Sequence, residues 1–367
     1  MSIKKQLISA LVLGLPALAS HAQSSVTVFG VLDMAVEAQH AGSGVNRKVM
    51  DSGIGNGSRL GFRGTEDLGG GLSANFWMEM GIGADTGVLQ QGNLAWGRQI
   101  WVGIGTKEWN VSAGRQYSPL WQSLIFSDAT GQTYWGNSNL TGINVTSAAA
   151  AGDGTQGQMA RINNSVLGTY SAAGFTGRLM VAAGDEAANS GGRMINPGFT
   201  WTNGPFGISA SYYRSKQSIK DIPTGAGPDW QHAVSAGLQY DFGPAKLVVG
   251  YFVFDPSERN ITVTANTTLK QTNYNLGVVV PLGSSKVLAQ IYSSRFDKIS
   301  GTDGRATTLA ATYEYALSKR TFLYGSYAHV TNNDRANLGL FSATANFAPS
   351  GLGQDPSILA LGVRHMF

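Results

Sequence analysis

Period two governs this sequence. Over 232–242, Val234, Ala236, Leu238, Tyr240 and Phe242 alternate with Ser235, Gly237, Gln239 and Asp241. Over 305–317, Leu309, Ala311, Tyr313 and Tyr315 alternate with Thr308, Ala310, Thr312 and Glu314. The stretches 246–254, 286–295 and 322–330 repeat the pattern, and helical spacing fits none of them better. Side chains of a strand point alternately to its two faces, so each stretch has one apolar and one polar face. Such strands assemble either as a sandwich with apolar faces inside, or as a barrel whose apolar face meets lipid.

The connections separate these two solutions. Short ones fall at 64–71, 106–109, 171–175, 202–206, 241–245, 281–285 and 317–321, built from tight-turn residues such as Gly, Pro and Asn. Longer polar stretches lie between them, at about 41–57, 84–93, 117–160, 185–195, 217–229, 255–268, 297–304 and 331–356. Seven short and eight long connections alternate, and fifteen joints link sixteen strands. Turns on one rim and loops on the other are the build of a transmembrane barrel. Trp109, Phe175, Phe206, Phe242 and Phe322 stand at strand ends beside the short turns, where an interfacial aromatic girdle is expected. The final strand carries Leu359, Leu361, Val363, His365 and Phe367 on one parity and stops at Phe367. Paired with "SSVTVFGVLDMAVEA" at 24–38, it would close the sheet with no free edge and set Phe367 in the girdle.

Composition points the same way. Charged residues are 13% of the chain, about half the usual quarter of a soluble protein. Cysteine is absent, so neither disulfides nor thiolate chemistry contributes. The formal charge of +4 includes Lys4 and Lys5, leaving +2, too little for the dense basic face of a nucleic-acid binder. Residues 1–22 combine Lys4 and Lys5, an apolar run at 7–19 and Ser20-His21-Ala22, the pattern of a secretory signal. The expected domain is therefore 23–367, an all-β, 16-stranded antiparallel transmembrane barrel exported through the periplasm to the outer membrane.

Six segments resemble the trimeric general porins of Gram-negative outer membranes, in their β-proteobacterial version. They are "SSVTVFGVLD" at the start of the barrel, "GSRLGFRGTEDLGGGLSANFWMEMG" at 57–81, "GRQIWVGIG" at 97–105, "AGRQYSPL" at 113–120, "RINNSV" at 161–166 and the final "GVRHMF". The resemblance implies a homotrimer embedded in outer-membrane lipid, each barrel with its own water-filled pore for ions and small hydrophilic solutes. It implies a long third loop folded into the lumen, and a last strand, with Val363, His365 and Phe367, that the barrel assembly machinery recognises. The connection at 117–160 is the longest and is third in order, and a loop of that length in a compact protein is usually functional.

A diffusion pore forms no bond; its selectivity is electrostatic, imposed at the narrowest point. The family's constriction sets basic wall residues against acidic groups of the third loop. By motif, the wall positions fall on Arg59, Arg98 and Arg161, with Arg115 as a further candidate. Arg59 shares parity with Gly61 and Arg63 while Leu60 and Phe62 take the lipid side, as a lumen residue requires. Arg98 shares parity with Ile100 and Val102, so a bulge or packing against the third loop is expected there. On the loop only Asp128 and Asp153 are acidic; Asp128 is the expected acidic partner, and Asp153 in "AAGDGTQG" suits a turn equally. Three basic groups against one or two carboxylates favour small anions, and Asp33 and Glu79, if inward, would weaken that preference.

Other signals carry less. "GIGNGSRLG" at 53–61 faintly resembles a phosphate-cradling loop, but no helix pattern or Gly-Lys-Ser/Thr follows it. His21, His40, His232, His329 and His365 lack ligand spacing, so neither metal nor cofactor is inferred. No Gly-x-Ser-x-Gly elbow exists, and no enzyme is expected. A barrel esterase or phospholipase and an adhesin-like barrel are the competing classes.

Overall fold

The computed structural model describes residues 25–42, 44, 46–136, 159–184, 193–216, 230–255, 268–298, 300–344, 346–349 and 351–367. Seventeen strand segments form one closed antiparallel sheet of sixteen staves. The staves on the first half are β1 (Ser25–His40), β2 in two pieces (Asn46–Ser52 and Arg59–Gly69), β3 (Leu72–Gly81), β4 (Gln99–Gly105), β5 (Trp109–Tyr117), β6 (Arg161–Ala172), β7 (Phe175–Ala182) and β8 (Met194–Asn203). The second half is β9 (Phe206–Lys216), β10 (Trp230–Asp241), β11 (Lys246–Asp255), β12 (Thr268–Leu282), β13 (Ser285–Lys298), β14 (Gly304–Ala316), β15 (Thr321–Asn332) and β16 (Ser357–Met366). One helix, α1 (Pro119–Phe126), follows β5.

Closure is between the ends of the chain. β16 pairs with β1, Arg364 opposite Asp33 and Ala360 opposite Glu37. Gly30 and Phe367 exchange backbone hydrogen bonds of 3.0 and 3.1 Å. The Phe367 ring folds down over Gly30, where any Cβ would collide with it. No edge is left for a second chain to extend.

The parity read from the sequence holds in space. Val234, Leu238, Tyr240, Leu309, Tyr313, Leu359 and Leu361 are exposed on the outer face, whereas Ser235, Thr308, Thr312 and Glu314 are buried on the inner one. Trp109, Phe175 and Phe242 stand exposed beside the short turns, as a girdle requires. Phe322 does not: it shares the inward parity of Tyr324, Ser326 and Ala328, and the Arg364 guanidinium lies 4.8 Å over its ring. The loop expected at 41–57 is also different. The first piece of β2 pairs back onto β1 from Asn46, and the chain leaves the sheet again at 53–58.

Residues 118–136 run along the polar face. Ser118 caps α1, its Oγ accepting from the Trp121 amide at 3.1 Å, with Pro119 in the first turn. The segment is then tied stave by stave. The Leu120 amide donates to Asn196 on β8 at 2.9 Å, and Ser123 donates to Ser209 on β9 at 3.1 Å. Gln239 on β10 donates to Phe126 O, and Asn275 on β12 donates to Ser127 O at 2.7 Å. The Ala129 amide reaches Gln290 on β13 at 2.7 Å, Tyr134 reaches Glu314 on β14, and Trp135 Nε1 reaches Glu37 on β1 at 3.2 Å.

Glycines make room for this approach. A Cβ on Gly237 would lie 2.5 Å from Ser127 Cβ, one on Gly250 2.6 Å from Ser127 O, and one on Gly277 2.5 Å from Ala129 Cβ. Gly207 would meet Phe126 at 2.7 Å and Gly198 would meet Pro119 at 3.0 Å. Five consecutive staves, β8 to β12, thus carry a glycine groove that fits one backbone segment. The remaining part of the long connection, 137–158, lies outside the described residues.

Candidate functional site

The excursion at 53–58 begins the site. Three successive amides, Ile54, Gly55 and Asn56, donate to the Asp33 carboxylate at 3.0, 3.2 and 3.0 Å, and Tyr324 donates to it at 2.7 Å. This is an anion nest made by backbone N–H groups. The "GIGNG" glycines therefore do cradle an anion, a carboxylate from the neighbouring stave rather than a phosphate. A Cβ on Gly55 would lie 2.8 Å from that carboxylate, and one on Gly57 2.7 Å from an Arg98 nitrogen. The same turn also accepts the Tyr134 amide on Ile54 O at 2.6 Å, joining it to the 118–136 segment.

Three of the four arginines singled out by the sequence meet just beyond this turn. Arg59, the first residue of the second piece of β2, forms an ion pair with Glu79 on β3 at 3.2 Å and donates to Asn56. Arg98 donates through Nε to the same Glu79 oxygen and through Nη2 to Tyr117 Oη at 2.9 Å. Arg161, the first residue of β6, donates to Tyr117 Oη at 2.8 Å, its guanidinium 4.7 Å from that ring's centre. Glu79 and Tyr117 thus hold three guanidiniums in one group, with one carboxylate against three positive charges. Trp77 Nε1 donates to the second Glu79 oxygen at 2.9 Å and fixes its rotamer.

Arg98 reaches the inside without a bulge, one of the two routes expected for it; in line with the other, it is tied to Tyr117, where the long connection begins. It precedes Gln99, the first residue of β4, so the alternation of that strand does not govern it. The bulge is on the next stave, where the β5–β6 register shifts between Gly114 and Gln116. Arg115 stands at that bulge; it donates to Gly97 O at 2.8 Å and to Asn163 Oδ1 at 2.7 Å, tying the 82–98 connection to β6.

Asp128 has a different setting from the one expected. It is 4% exposed, accepts from the Thr130 amide and hydroxyl at 2.7 Å each, and takes further hydrogen bonds from Gln132 and Tyr292. Burial pushes its carboxyl above the ordinary range, although Tyr292 and Thr130 pull the other way. Every donor around it is neutral, and these bonds anchor the segment to β13. The carboxylate that meets the arginines comes from the wall, as Glu79. Asp153 lies outside the described residues.

A second charged group escaped the sequence reading. Glu314 on β14 pairs with Arg364 on β16 at 2.7 Å and with Lys286 on β13, and it accepts the Tyr134 hydroxyl. Arg364 also donates to Tyr134 at 3.1 Å and to Gly55 O at 3.3 Å. Polar parity marked Glu314 and Arg364 as inward residues; only the register of β14, β15 and β16 brings them together. At the chain end Val363 and Phe367 are exposed on the outer face, and His365 is within 2.9 Å of Thr321 Oγ1.

A closed sheet with one apolar face and one polar, charged face, along which residues 118–136 are hydrogen-bonded, defines a membrane-spanning barrel. The chain belongs to the Gram-negative porin family, which matches residues 8–335. It is 31% identical to outer membrane porin protein 32 of Delftia acidovorans over the whole of both chains. It is 27% identical to an outer membrane porin protein of Bordetella pertussis, over 89% of this chain and 94% of that one. Among solved structures it resembles an anion-selective porin from Comamonas acidovorans, with a TM-score of 0.77 and 29% identity, covering 94% of this chain and 100% of that one. It is an integral protein of the bacterial outer membrane and a channel for passive diffusion.

Proposed function

We propose that this channel prefers small anions, and that Arg59, Arg98 and Arg161 form the attracting wall of its constriction. The observation that carries the reading is their convergence on a single carboxylate and a single phenol. Arginine stays charged at any physiological pH, and a net positive group lowers the energy of an anion in a water-filled bore. The Comamonas acidovorans relative, named an anion-selective porin, supports the same sign. The segment 118–136, tied across the polar face and seated in the glycine groove, is the element that narrows the bore.

The assembly in this proposal is a homotrimer; a Vibrio cholerae outer membrane protein of the same fold, TM-score 0.69 and 15% identical, is described in a trimer form. Residues 1–22 are removed on export, and Val363, His365 and Phe367 are the strand end that the barrel assembly machinery reads. The test is the zero-current potential of the purified protein in a planar bilayer under a potassium chloride gradient. Chloride preference is expected, and Arg59→Ser or Arg161→Ser should each move the potential toward potassium. A potential of potassium sign in the unsubstituted protein would overturn the reading. An unchanged potential in Arg59→Ser would remove that residue from the constriction.

A further inference from the structure

On the inner face, nearer the turn rim than Glu79, the register sets Arg63, Trp77 and Trp101 side by side on β2, β3 and β4. Phe29 on β1 joins them, its ring lying across Gly61 where a Cβ would collide with it. Phe29 and Trp77 are 4.9 Å apart between centroids; Trp77 and Trp101 stack at 6.4 Å and 17°. The Arg63 guanidinium lies 5.5 Å from the Phe29 ring and 5.4 Å from Trp77. Both indole N–H groups are committed, Trp77 to Glu79 at 2.9 Å and Trp101 to Gln99 at 3.3 Å. The rings are therefore locked in place as a shelf.

Apart from Phe322, which lies under the Arg364 guanidinium, other large inward rings are covered. Tyr213, Phe252 and Tyr292 are 3%, 1% and 0% exposed, beneath the 118–136 segment. Phe29, Trp77 and Trp101 remain half-buried, and Arg63 beside them is exposed. Among the described residues Arg63 is in no ion pair. A wet wall gains nothing from three rings left partly open, unless something flat and apolar meets them. The cation beside them fixes the polarity of that partner as anionic.

We propose that this shelf is a binding subsite for aromatic carboxylates in transit. The solute's ring stacks on the Trp77–Trp101 row and its carboxylate takes the Arg63 guanidinium. Arg63 and Arg59 lie four residues apart on one face, roughly 13 Å along the strand, so a solute released from Arg63 passes to the arginine group. The inference rests on the pore reading only in needing an aqueous lumen.

Single-channel chloride current in a planar bilayer tests it, with benzoate and cyclohexanecarboxylate as blockers of equal charge and similar size. Benzoate should reach half-block at a concentration about fivefold lower, the size of one aromatic pair contact. Trp101→Leu should bring the two blockers together while chloride preference persists, which also shows that the variant is folded; Trp77→Leu should bring them together as well, with a shift of its own in chloride preference because it frees the Glu79 carboxylate. Arg63→Gln should weaken both blockers and keep their ratio. Chloride preference with equal block by the two acids would overturn the shelf and leave the selectivity reading intact. Potassium preference with benzoate still the tighter blocker would do the reverse. An undiminished ratio in both tryptophan variants would also overturn the shelf.

Discussion

Glu79 stands on one wall of the bore and Asp128 on the segment tied to another, and under the proposed selectivity the contrast between them separates filtering from anchoring. On the wall of β2 to β6, Glu79 meets guanidiniums, and the group keeps a net positive charge. On the wall of β8 to β13, Asp128 meets only neutral donors and serves to hold a backbone segment. Both are almost fully buried, at 1% and 4% exposure, so exposure does not distinguish them. Partners do. Glu79 offsets part of a positive group whose summed charge would act on a passing ion, whereas the donors around Asp128 hold a backbone segment in place.

The sharpest test of this contrast is Glu79→Gln. Glutamine keeps an acceptor for Arg98 and removes the only carboxylate of the group. A unit charge acting over roughly 7 Å in water is worth about 0.6 kcal/mol, gained by chloride and lost by potassium, so the chloride-to-potassium permeability ratio should rise about sevenfold. Zero-current potentials in a salt gradient read this directly. A ratio that stays put would mean that passing ions do not sense the group, and the filtering wall would have to be sought elsewhere.

The anchoring wall is tested next, by size instead of charge. In Gly237→Leu the first added carbon already lies 2.5 Å from Ser127 Cβ, and the rest of the side chain has no room under the segment. Ser127 must lift away from β10 and β12. Single-channel conductance should roughly double, since an aqueous pore conducts in proportion to its open cross-section. Ion preference should change less, because all three arginines are borne by the other wall. Unaltered conductance would show that the segment does not set the bore.

These two walls were not equally legible in the sequence. Staves, closure and the inward parity of Arg59 follow from alternation, because one polar and one apolar face is a local property of each strand. The arginine group followed from motif resemblance, and only partly from pattern: Arg98 has lipid-side parity with Ile100 and Val102, and its position before the strand starts is what frees it. The anchoring wall left almost no trace. Gly237, Gly250 and Gly277 occupy polar-face positions where a serine would read the same, and only the approach of Ser127 and Ala129 gives them a role. Glu314 showed inward parity and Asp33 was inward only conditionally, but the side chains they meet come from distant parts of the chain, and single-strand periodicity holds no register between strands. Phe322 misled for a related reason: a position beside a turn says girdle, and parity says lumen.

The smallest expected effect is the most diagnostic for Asp128. Asparagine at this position keeps one acceptor for the Thr130 amide and hydroxyl but turns an NH2 group toward donors from Gln132 and Tyr292. A buried donor facing a donor costs about 1–3 kcal/mol. That loss loosens the attachment of 118–136 to β13, which should appear as added open-channel noise. Meanwhile the permeability ratio should move by less than in Glu79→Gln, because Asp128 is buried among neutral donors and, among the described residues, makes no contact with the arginine group. If Asp128→Asn instead raised chloride preference as far as Glu79→Gln does, the two carboxylates would act on the same ions, and the division into a filtering wall and an anchoring wall would fail at its best-defined point.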